Sequence, residues 1–482
     1  MRWQIDGLVV TLAADGGVRV RAAGSPPPPP PPPPSGDITV ALVASRISGP
    51  APLAVRFSAV GTTTSIAGVT DTFRQLLYTF DYGDPGSGTW PISGGSKNSD
   101  ASGPLGAHIF DTPGTYVVRC TGGRGGSSGY GEVTITVTDP ATVFPGTATV
   151  YISPSANYSG APAGAELRTT MPVISSNKRY MLARGESHGA LLIPGGVTGT
   201  QVVAGGSGAK PLVSTIKVGD ELVPPGTLFP DDITIEGLQC SGEIVQTAYV
   251  RRLLLKDIDQ PSHSKIDLGA ASDYWSENLG DRYGPTLPVA RDLFVVGCYS
   301  RGTNLTFGIT GHLIEAAVLG CDFKGSAQHT LRAWSAYHAV ISHNALRGGS
   351  ADGIRHALKM HSSGVATFTP GQAYGSGAAW ATSKVVVYRN LFSDATDNNA
   401  FAAVFGPQND GSAEPLEDVI VEGNVFARGS NFVSDLQLAG RRMTYIGNTL
   451  AVGGGAADVT APGLHAVGLP VDWQGPYFNS RD

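Results

Sequence analysis

Two short segments carry charged and aromatic side chains at alternating positions, the spacing that places side chains on one side of a β-strand. They are TLRAW, residues 330–334, and ALKMH, residues 357–361. If the apolar residues of each segment point inward, Arg332 and Lys359 lie together on the outer side of two stacked strands. Trp334 and His361 then form a second outer column. The pattern predicts a cationic surface with an aromatic flank.

The same alternation, continued along the chain, extends both columns. It adds Phe405 to the second column and Gln437 to the first, beside Lys359, and Arg355 is expected to reach the surface from the preceding corner. Cations pair with carboxylates and aromatic rings stack on sugar rings, so this surface fits an acidic sugar. The alternative is a solvated face on which Arg332 and Lys359 only repel each other.

Two kinds of bond cleavage could use these groups. A lyase needs a base, for which Lys359, Arg332 and His361 are candidates. A glycosidase needs two carboxyl groups about 5 to 9.5 Å apart. Lyase chemistry, hydrolysis and binding without cleavage all remain open.

A loop rich in carboxylates and aromatic residues, ASDYWSENLGDRYGP, occupies residues 271–285. Long insertions of this kind commonly build binding surfaces. Asp273 and Glu277 are candidates for the glycosidase carboxyl groups, and Trp275 is a candidate for sugar binding.

Composition argues against several classes of function. The 482 residues include 65 Gly and 34 Pro with only 15% charged residues, which is typical of strands separated by many turns. A net charge of −6 without a polybasic run gives no reason to expect nucleic acid as a partner. No apolar run approaches the roughly 18 residues that span a bilayer, so membrane insertion is not expected.

No nucleotide loop, Ser-His-Asp signature or zinc motif is recognisable, and no cofactor or metal is expected.

The N-terminus and the cysteines both indicate in which cellular compartment the protein is expected. MRWQIDGLVVTLAADGG lacks the basic, apolar and cleavage regions of a signal peptide, so export by the usual route is not expected. The four cysteines show neither metal-ligand spacing nor the density of a disulfide scaffold and are expected to be buried thiols. They are Cys120, Cys240, Cys298 and Cys321.

The first 36 residues suggest an anchor followed by a spacer. Residues 7–23 alternate around Asp15-Gly16-Gly17, which predicts a β-hairpin. An isolated hairpin is only marginally stable, so residues 1–25 are expected to pair with another protein. The nine prolines Pro26–Pro34 predict a stiff rod of about 28 Å within a linker at residues 26–36.

Residues 37–140 form a separate all-β unit with two recognisable motifs. They are FDYGD at residues 80–84, and HIF followed by PGTY within residues 108–116. On these motifs the segment resembles PKD domains, which are small immunoglobulin-like β-sandwiches. It departs from them by Ser/Gly-rich insertions near residues 84–105. The resemblance implies a spacer or interaction module.

From residue 141 to residue 482, short apolar strands recur with a common ending. They include LFVVGCYS, AAVLGCDF, AVISHNAL, VVVYRNLF, VIVEGNVF and MTYIGNTL. The residue after each turn is Cys298, Cys321, Asn344, Asn390, Asn424 and Asn448, at steps of 23, 23, 46, 34 and 24 residues. A repeat of slightly more than 20 residues, with loops inserted at the same place in each repeat, indicates a solenoid. In a solenoid each unit buries its apolar face on the next unit.

On these repeats, residues 145–470 resemble the right-handed parallel β-helix of pectate-lyase-like proteins and phage tailspikes. KRYMLARGESH at residues 178–188 and GGSGAKPLV at residues 205–213 look like the opening coils of bacterial members of that group. The compact Asp cluster with which pectate lyases bind calcium is missing, which argues against a calcium-dependent lyase. The expected fold is all-β: a short N-terminal hairpin, an Ig-like (PKD) sandwich and a right-handed parallel β-helix.

Stacking gives the repeated asparagines a structural role. Equivalent positions in a parallel solenoid lie about 4.8 Å apart, so the asparagine amides can hydrogen-bond in a ladder that needs no substrate. The expected rungs are Asn344, Asn390, Asn424 and Asn448. His343 then occupies a position that holds Gly or Arg in neighbouring repeats.

The order of these parts favours a phage tail spike or fibre on the virion that binds host surface polysaccharide. If it is an enzyme, it is expected to be a depolymerase that degrades this polysaccharide. Its expected partners are a host-cell glycan, acidic in the simplest case, and a tail, baseplate or capsid protein contacted through residues 1–25. The resemblance implies a homotrimer, although no trimerisation domain is recognisable. One alternative is an extracellular bacterial polysaccharide lyase or glycoside hydrolase with a PKD accessory domain. Another is an adhesin without a carbohydrate site.

Overall fold

The computed structural model describes residues 2–5, 8–12, 18–22, 36–219, 229–246, 250–262, 265–268, 291–301, 307–324, 329–347, 356–360, 382–393, 403–405, 416–428, 436–438, 440–452, 455–458, 464–465 and 476–477. Strands dominate these residues. The described helices are Thr72–Gln75, Pro140–Val143 and the 3-10 turn Gly146–Ala148. Within the described ranges we find no helix that could span a lipid bilayer.

The chain divides into two compact units, Met1–Ser35 and Gly36–Asp482. The first contains an antiparallel sheet of the strands Arg2–Ile5, Leu8–Leu12 and Val18–Ala22. The second and third strands pair from Leu8 opposite Ala22 to Leu12 opposite Val18, as the two strands of a hairpin do. The strand before them extends this pair to three.

Residues 36–140 fold into two sheets that share one core. The larger sheet has the strands Ser99–Ser102, Leu77–Asp81, Gly114–Arg124, Ser127–Thr138 and Ser48–Pro50. The smaller has Leu105–Phe110, Leu53–Ser58 and Val43–Ala44, and Ile38–Thr39 pairs with Thr63–Thr64. Phe57 and Phe110 from the smaller sheet pack with Phe80 and Val118 from the larger one, all at 0% exposure. This arrangement is a β-sandwich, and its assignment to the PKD family stays a prediction.

The rest of the described chain is a parallel β-helix with three faces. Face 1 contains Ala190–Ile193, Thr215–Val218, Ile244–Gln246, Ile266–Leu268, the first parts of Phe307–Ile314 and His329–Ser342, Leu358–Met360, Ala403–Phe405, Leu436–Leu438 and Leu464–His465. Face 2 contains Glu166–Arg168, Thr149–Ile152, Arg179–Ala183, Thr198–Gly205, Asp231–Glu236, Arg251–Lys256, Arg291–Val296, the remainders of Phe307–Ile314 and His329–Ser342, Ala317–Leu319, Ser383–Tyr388, Leu416–Glu422, Gly440–Ile446 and Pro476–Tyr477. Face 3 contains Leu212–Val213, Gln239–Cys240, Asp259–Gln260, Tyr299–Ser300, Asp322–Lys324, Ala345–Arg347, Leu391–Ser393, Val425–Arg428, Thr449–Val452 and, antiparallel at its end, Gly455–Asp458. The long parallel sheets confirm the β-helix expected from the repeats.

The bend between faces 2 and 3 explains the repeated ending of the strands. In four successive coils the residue before the asparagine has a positive φ: 61° at His343, 51° at Arg389, 63° at Gly423 and 60° at Gly447. This left-handed conformation favours Gly and turns the chain sharply. The following asparagine then points into the helix, where it is buried.

The sandwich docks on the outer side of face 2. Leu105, Ala107 and Ile109 of the sandwich share an apolar cluster with outward residues of face 2, including Phe294 and Ile420. Strands of face 2 are therefore buried on both sides, and they read as continuous apolar runs rather than as alternating patterns.

Polar contacts surround this apolar interface. Arg46 pairs with Asp232 at 2.7 Å, and Ser102 Oγ donates to Glu422 Oε2 at 2.7 Å. Arg56, 7% exposed, lies 3.4 Å from Asp292 Oδ1 and 3.6 Å from Glu315 Oε1. These contacts make the sandwich and the β-helix parts of one compact unit.

Candidate functional site

The candidate site is a line of side chains on the outer side of face 1, which we call the outer column. The strand register aligns Asp267 with Thr310, Thr310 with Arg332, and Arg332 with Lys359. Neighbouring strands are about 4.8 Å apart, so these four residues form one polar line along the helix axis.

The inward residues fix the orientation of the outer column. Leu331 and Ala333 flank Arg332, Leu358 and Met360 flank Lys359, and all four are 0% exposed in the central core. Because side chains alternate along a strand, Arg332 and Lys359 must point outward. This is the placement that the sequence pattern predicted.

Most of the outer column is nevertheless covered. Thr310 is 2% exposed, Lys359 3% and Asp267 7%, whereas Arg332 is partly exposed. The outer column is therefore a mostly buried polar line, and Arg332 is the more accessible of its two cations.

A group of alternating charges lies beside Asp267, next to the outer column. Lys265 Nζ lies 2.9 Å from Glu243 Oε2 and 3.7 Å from Asp267 Oδ2. Burial acts to lower the pKa of Lys265, and the two carboxylates outweigh burial and raise it above its ordinary value. The ammonium group therefore stays charged and offsets the negative charge of Asp267.

The register also tests the other residues assigned to the two columns. Lys359 aligns with Val404 and Val404 with Gln437, so the strand register places Gln437 at the position that the sequence pattern gave it. The placement of Phe405 on the outside is wrong, because Phe405 aligns with Met360 and is 0% exposed in the core. Ala403 and Phe405 are the inward residues of that strand.

Trp334 lies at an irregularity of its strand. Gly311 pairs with Ala333 and the next residue, His312, pairs with Ser335, which leaves Trp334 as the extra residue of a β-bulge. Bulges change the direction in which neighbouring side chains point. The remaining candidates lie outside the described residues: Asp273, Trp275, Glu277, Arg355 and His361.

The chemistry available to the outer column follows from these groups. Asp267 is the single carboxylate that the register places in it, counting only described strands. The described part of the column therefore offers a ligand one carboxylate, one hydroxyl and two cations. The described residues also contain no group of three or more His, Cys, Asp or Glu residues that could hold a metal ion.

The asparagine ladder is present and needs no ligand. Nδ2 of Asn344 donates to Oδ1 of Asn390, Asn390 donates in the same way to Asn424, and Asn424 to Asn448, each at 2.9 Å. The second hydrogen of each amide goes to a backbone carbonyl, such as Ile341 O for Asn390 at 2.8 Å. The backbone N–H of Cys321 donates to Asn344 Oδ1 at 2.8 Å, and all four cysteines are free and buried.

His343 is a residue to which the sequence assigned no role. In the structure it is 1% exposed, stacks on Trp90 of the sandwich and hydrogen-bonds to Ser93 and Asp100. These hydrogen-bond partners lie 250 and 243 positions away in the sequence, so no local motif connects them.

The fold and the site together define the class of the chain, a parallel β-helix protein with a docked β-sandwich and a mostly buried polar line on one face. No protein-family model and no curated protein matches it. Among solved structures it is similar to a family 28 exopolygalacturonase of Yersinia enterocolitica, with 10% sequence identity and a TM-score of 0.37. The similarity covers 90% of this chain and 99% of that one.

Proposed function

We propose that the chain is a receptor-binding spike or fibre of a virus particle, whose β-helix binds an acidic host polysaccharide along the outer column. The observation that carries this proposal is the register of Arg332 beside Lys359 on one outer surface. Guanidinium and ammonium groups pair with carboxylates, and an arginine and a lysine on strands about 4.8 Å apart can contact successive acidic groups of one polysaccharide chain. A uronate-containing chain is therefore preferred over a neutral one.

The order of the parts supports attachment to a particle. A small sheet within Met1–Ser35 is a compact unit of its own, and the proline-rich linker follows it in the sequence. We propose that residues 1–25 contact a tail, baseplate or capsid protein and that the spike is a homotrimer on the virion.

The rival proposal is a secreted polysaccharide lyase or glycoside hydrolase. A lyase would produce unsaturated-uronate absorbance from the bound polysaccharide, and a hydrolase would shorten the chains without that absorbance. Binding without either change is the result expected from our proposal.

Replacing the two cations should weaken polysaccharide binding. We expect the double substitution Arg332→Met and Lys359→Met to lower the affinity for a uronate-containing host polysaccharide at least tenfold, which corresponds to about 1.4 kcal/mol. Methionine retains much of the apolar stem of each side chain and removes the charge. Affinity electrophoresis or calorimetry with acidic and neutral polysaccharides would measure the change.

Lys324→Met is the matched control, because Lys324 is exposed on face 3 and lies outside the outer column. It should leave the affinity unchanged. Thermal unfolding would show that each variant is folded. Unaltered binding by a folded double variant would contradict the proposal.

Removing the N-terminal segment should separate attachment from recognition. We expect a chain without residues 1–25 to fold and bind the polysaccharide as the full chain does, but no longer to co-purify with the particle. Sedimentation of particles assembled with each version, followed by quantitation of the bound chain, would measure this. Retention of the shortened chain would refute the attachment role.

A further inference from the structure

A serine, a histidine and an aspartate form a hydrogen-bonded series at the junction of the sandwich and the β-helix. Ser93 Oγ lies 2.7 Å from Nδ1 of His343, and Nε2 of His343 lies 2.9 Å from Oδ1 of Asp100. This order of hydroxyl, imidazole and carboxylate matches that of the nucleophile, base and orienting acid in serine hydrolases, with the two imidazole nitrogens exchanged.

The direction of the hydrogen bonds follows from the chemistry of the groups. An ionised carboxylate only accepts, so Nε2 of His343 carries the proton that is donated to Asp100. In the neutral imidazole with this tautomer, Nδ1 is the acceptor nitrogen and can take the proton of the Ser93 hydroxyl. Tyr82 Oη donates to the other oxygen of Asp100 at 2.8 Å, which fixes the orientation of the carboxylate.

The imidazole is held rigidly while the hydroxyl is at the surface. The ring of His343 stacks on Trp90 with centroids 5.4 Å apart and meets Tyr388 edge-on at 5.5 Å. Ser93 lies in an exposed turn of the sandwich. A buried base beneath an exposed hydroxyl is the arrangement that an accessible nucleophile needs.

A cation lies beside these groups. A Cβ placed on Gly95 would be 3.1 Å from Arg389 Nη1, 3.1 Å from His343 Cε1 and 3.3 Å from Ser93 Oγ. Because Gly95 has no side chain, the three groups can converge. The exposed guanidinium of Arg389 can then stabilise the negative charge that develops on a carbonyl oxygen attacked by Ser93.

We propose that Ser93, His343 and Asp100 form an esterase site for carboxylic esters. Ser93 Oγ bonds to the carbonyl carbon while its proton passes to Nδ1 of His343. The ester C–O bond then breaks, and the alcohol leaves with that proton. Water then gives a proton to the same nitrogen while its oxygen bonds to the acyl carbon. The bond from that carbon to Ser93 Oγ breaks, and Oγ takes the proton back from His343, which releases the carboxylic acid and restores Ser93.

This activity goes beyond polysaccharide binding and uses none of the residues of the outer column. Ser93 and His343 are its catalytic residues, and Asp100 is a positioning residue. The esterase site can therefore be present or absent whatever the outer column binds.

The test uses the purified full chain, p-nitrophenyl acetate as substrate and a fluorophosphonate as covalent probe. We expect hydrolysis of the ester and one probe adduct on Ser93. Ser93→Ala should abolish the adduct and lower kcat at least a hundredfold. The matched control is Ser96→Ala, because Ser96 is an exposed serine of the same turn whose Oγ accepts from the Asn98 N–H at 3.1 Å. It should retain the adduct and the rate.

Asp100→Asn tests the positioning residue. It should lower kcat and leave KM unchanged, which a general loosening of the interface would not do. Thermal unfolding of all variants confirms that they are folded. No probe adduct on the wild-type chain, or equal rates for Ser93→Ala and Ser96→Ala, would overturn the proposal and leave Ser93 as a hydrogen-bond partner in the interface.

Discussion

Asn390→Ala is expected to destabilise the protein by about 4 kcal/mol, because it interrupts the middle of the asparagine ladder. Oδ1 of Asn390 accepts from both the backbone N–H and Nδ2 of Asn344, and its Nδ2 donates to Asn424 Oδ1 and Ile341 O. Removal of the amide leaves several of these buried groups unpaired. Each unpaired group costs about 1–3 kcal/mol. Urea unfolding, followed by far-UV circular dichroism, would measure the free energy of unfolding.

Asn157→Ala is the matched control for the ladder. Asn157 is exposed, and its side chain accepts one hydrogen bond, from the Ser159 N–H at 3.2 Å. Its substitution should change the free energy of unfolding by about 0.5 kcal/mol or less. A similar small effect at Asn390 would mean that the ladder contributes little to stability.

Arg56→Met should destabilise the protein by about 3–5 kcal/mol, because it leaves two partly buried carboxylates without their cation. Arg56 lies 3.4 Å from Asp292 and 3.6 Å from Glu315, whose side chains are 15% and 23% exposed. Burial raises the pKa of Asp292 even with Arg56 present, and loss of the cation should raise it further. An acid whose folded-state pKa is raised binds a proton more readily when folded. The variant should therefore recover stability as the pH falls from 7 toward the range in which Asp292 is protonated.

A second substitution and a control make this result specific. Asp292→Asn in the Arg56→Met background should restore part of the lost stability, because it removes one uncompensated charge. Arg46→Met breaks a more exposed pair with Asp232, with side chains 19% and 30% exposed, and should cost about 1 kcal/mol or less. Equal losses for Arg46→Met and Arg56→Met, with no dependence on pH, would argue against the buried ion pairs at Arg56.

The repeats made the β-helix predictable from the sequence. The asparagines that recur after apolar strands mark the same turn in each coil. The alternation in TLRAW and ALKMH correctly predicted that Arg332 and Lys359 lie side by side on neighbouring strands. The same reasoning failed at Phe405. Ala403, Val404 and Phe405 are all apolar, so no alternation of polar and apolar residues shows which of them point inward.

The series around His343 could not be predicted from local patterns. Ser93 and Asp100 reach His343 only because one domain docks on another. The continuous apolar runs at residues 293–296 and 385–387 did contain a signal for that docking, since strands exposed on one side alternate. These runs indicate that both sides of face 2 are buried, but they do not identify the sandwich as the part that covers its outer side.

The docked sandwich changes how the β-helix can come apart. A solenoid held only by contacts between adjacent repeats can open from either end, one coil at a time. Here the sandwich contacts face 2 from Gln201, which donates to Ala51 O, as far as Glu422, which accepts from Ser102. To release a coil within that span, the chain must also give up contacts with the sandwich. Hydrogen exchange along this part of the helix is thus governed by a shared, cooperative opening rather than by fraying from the ends.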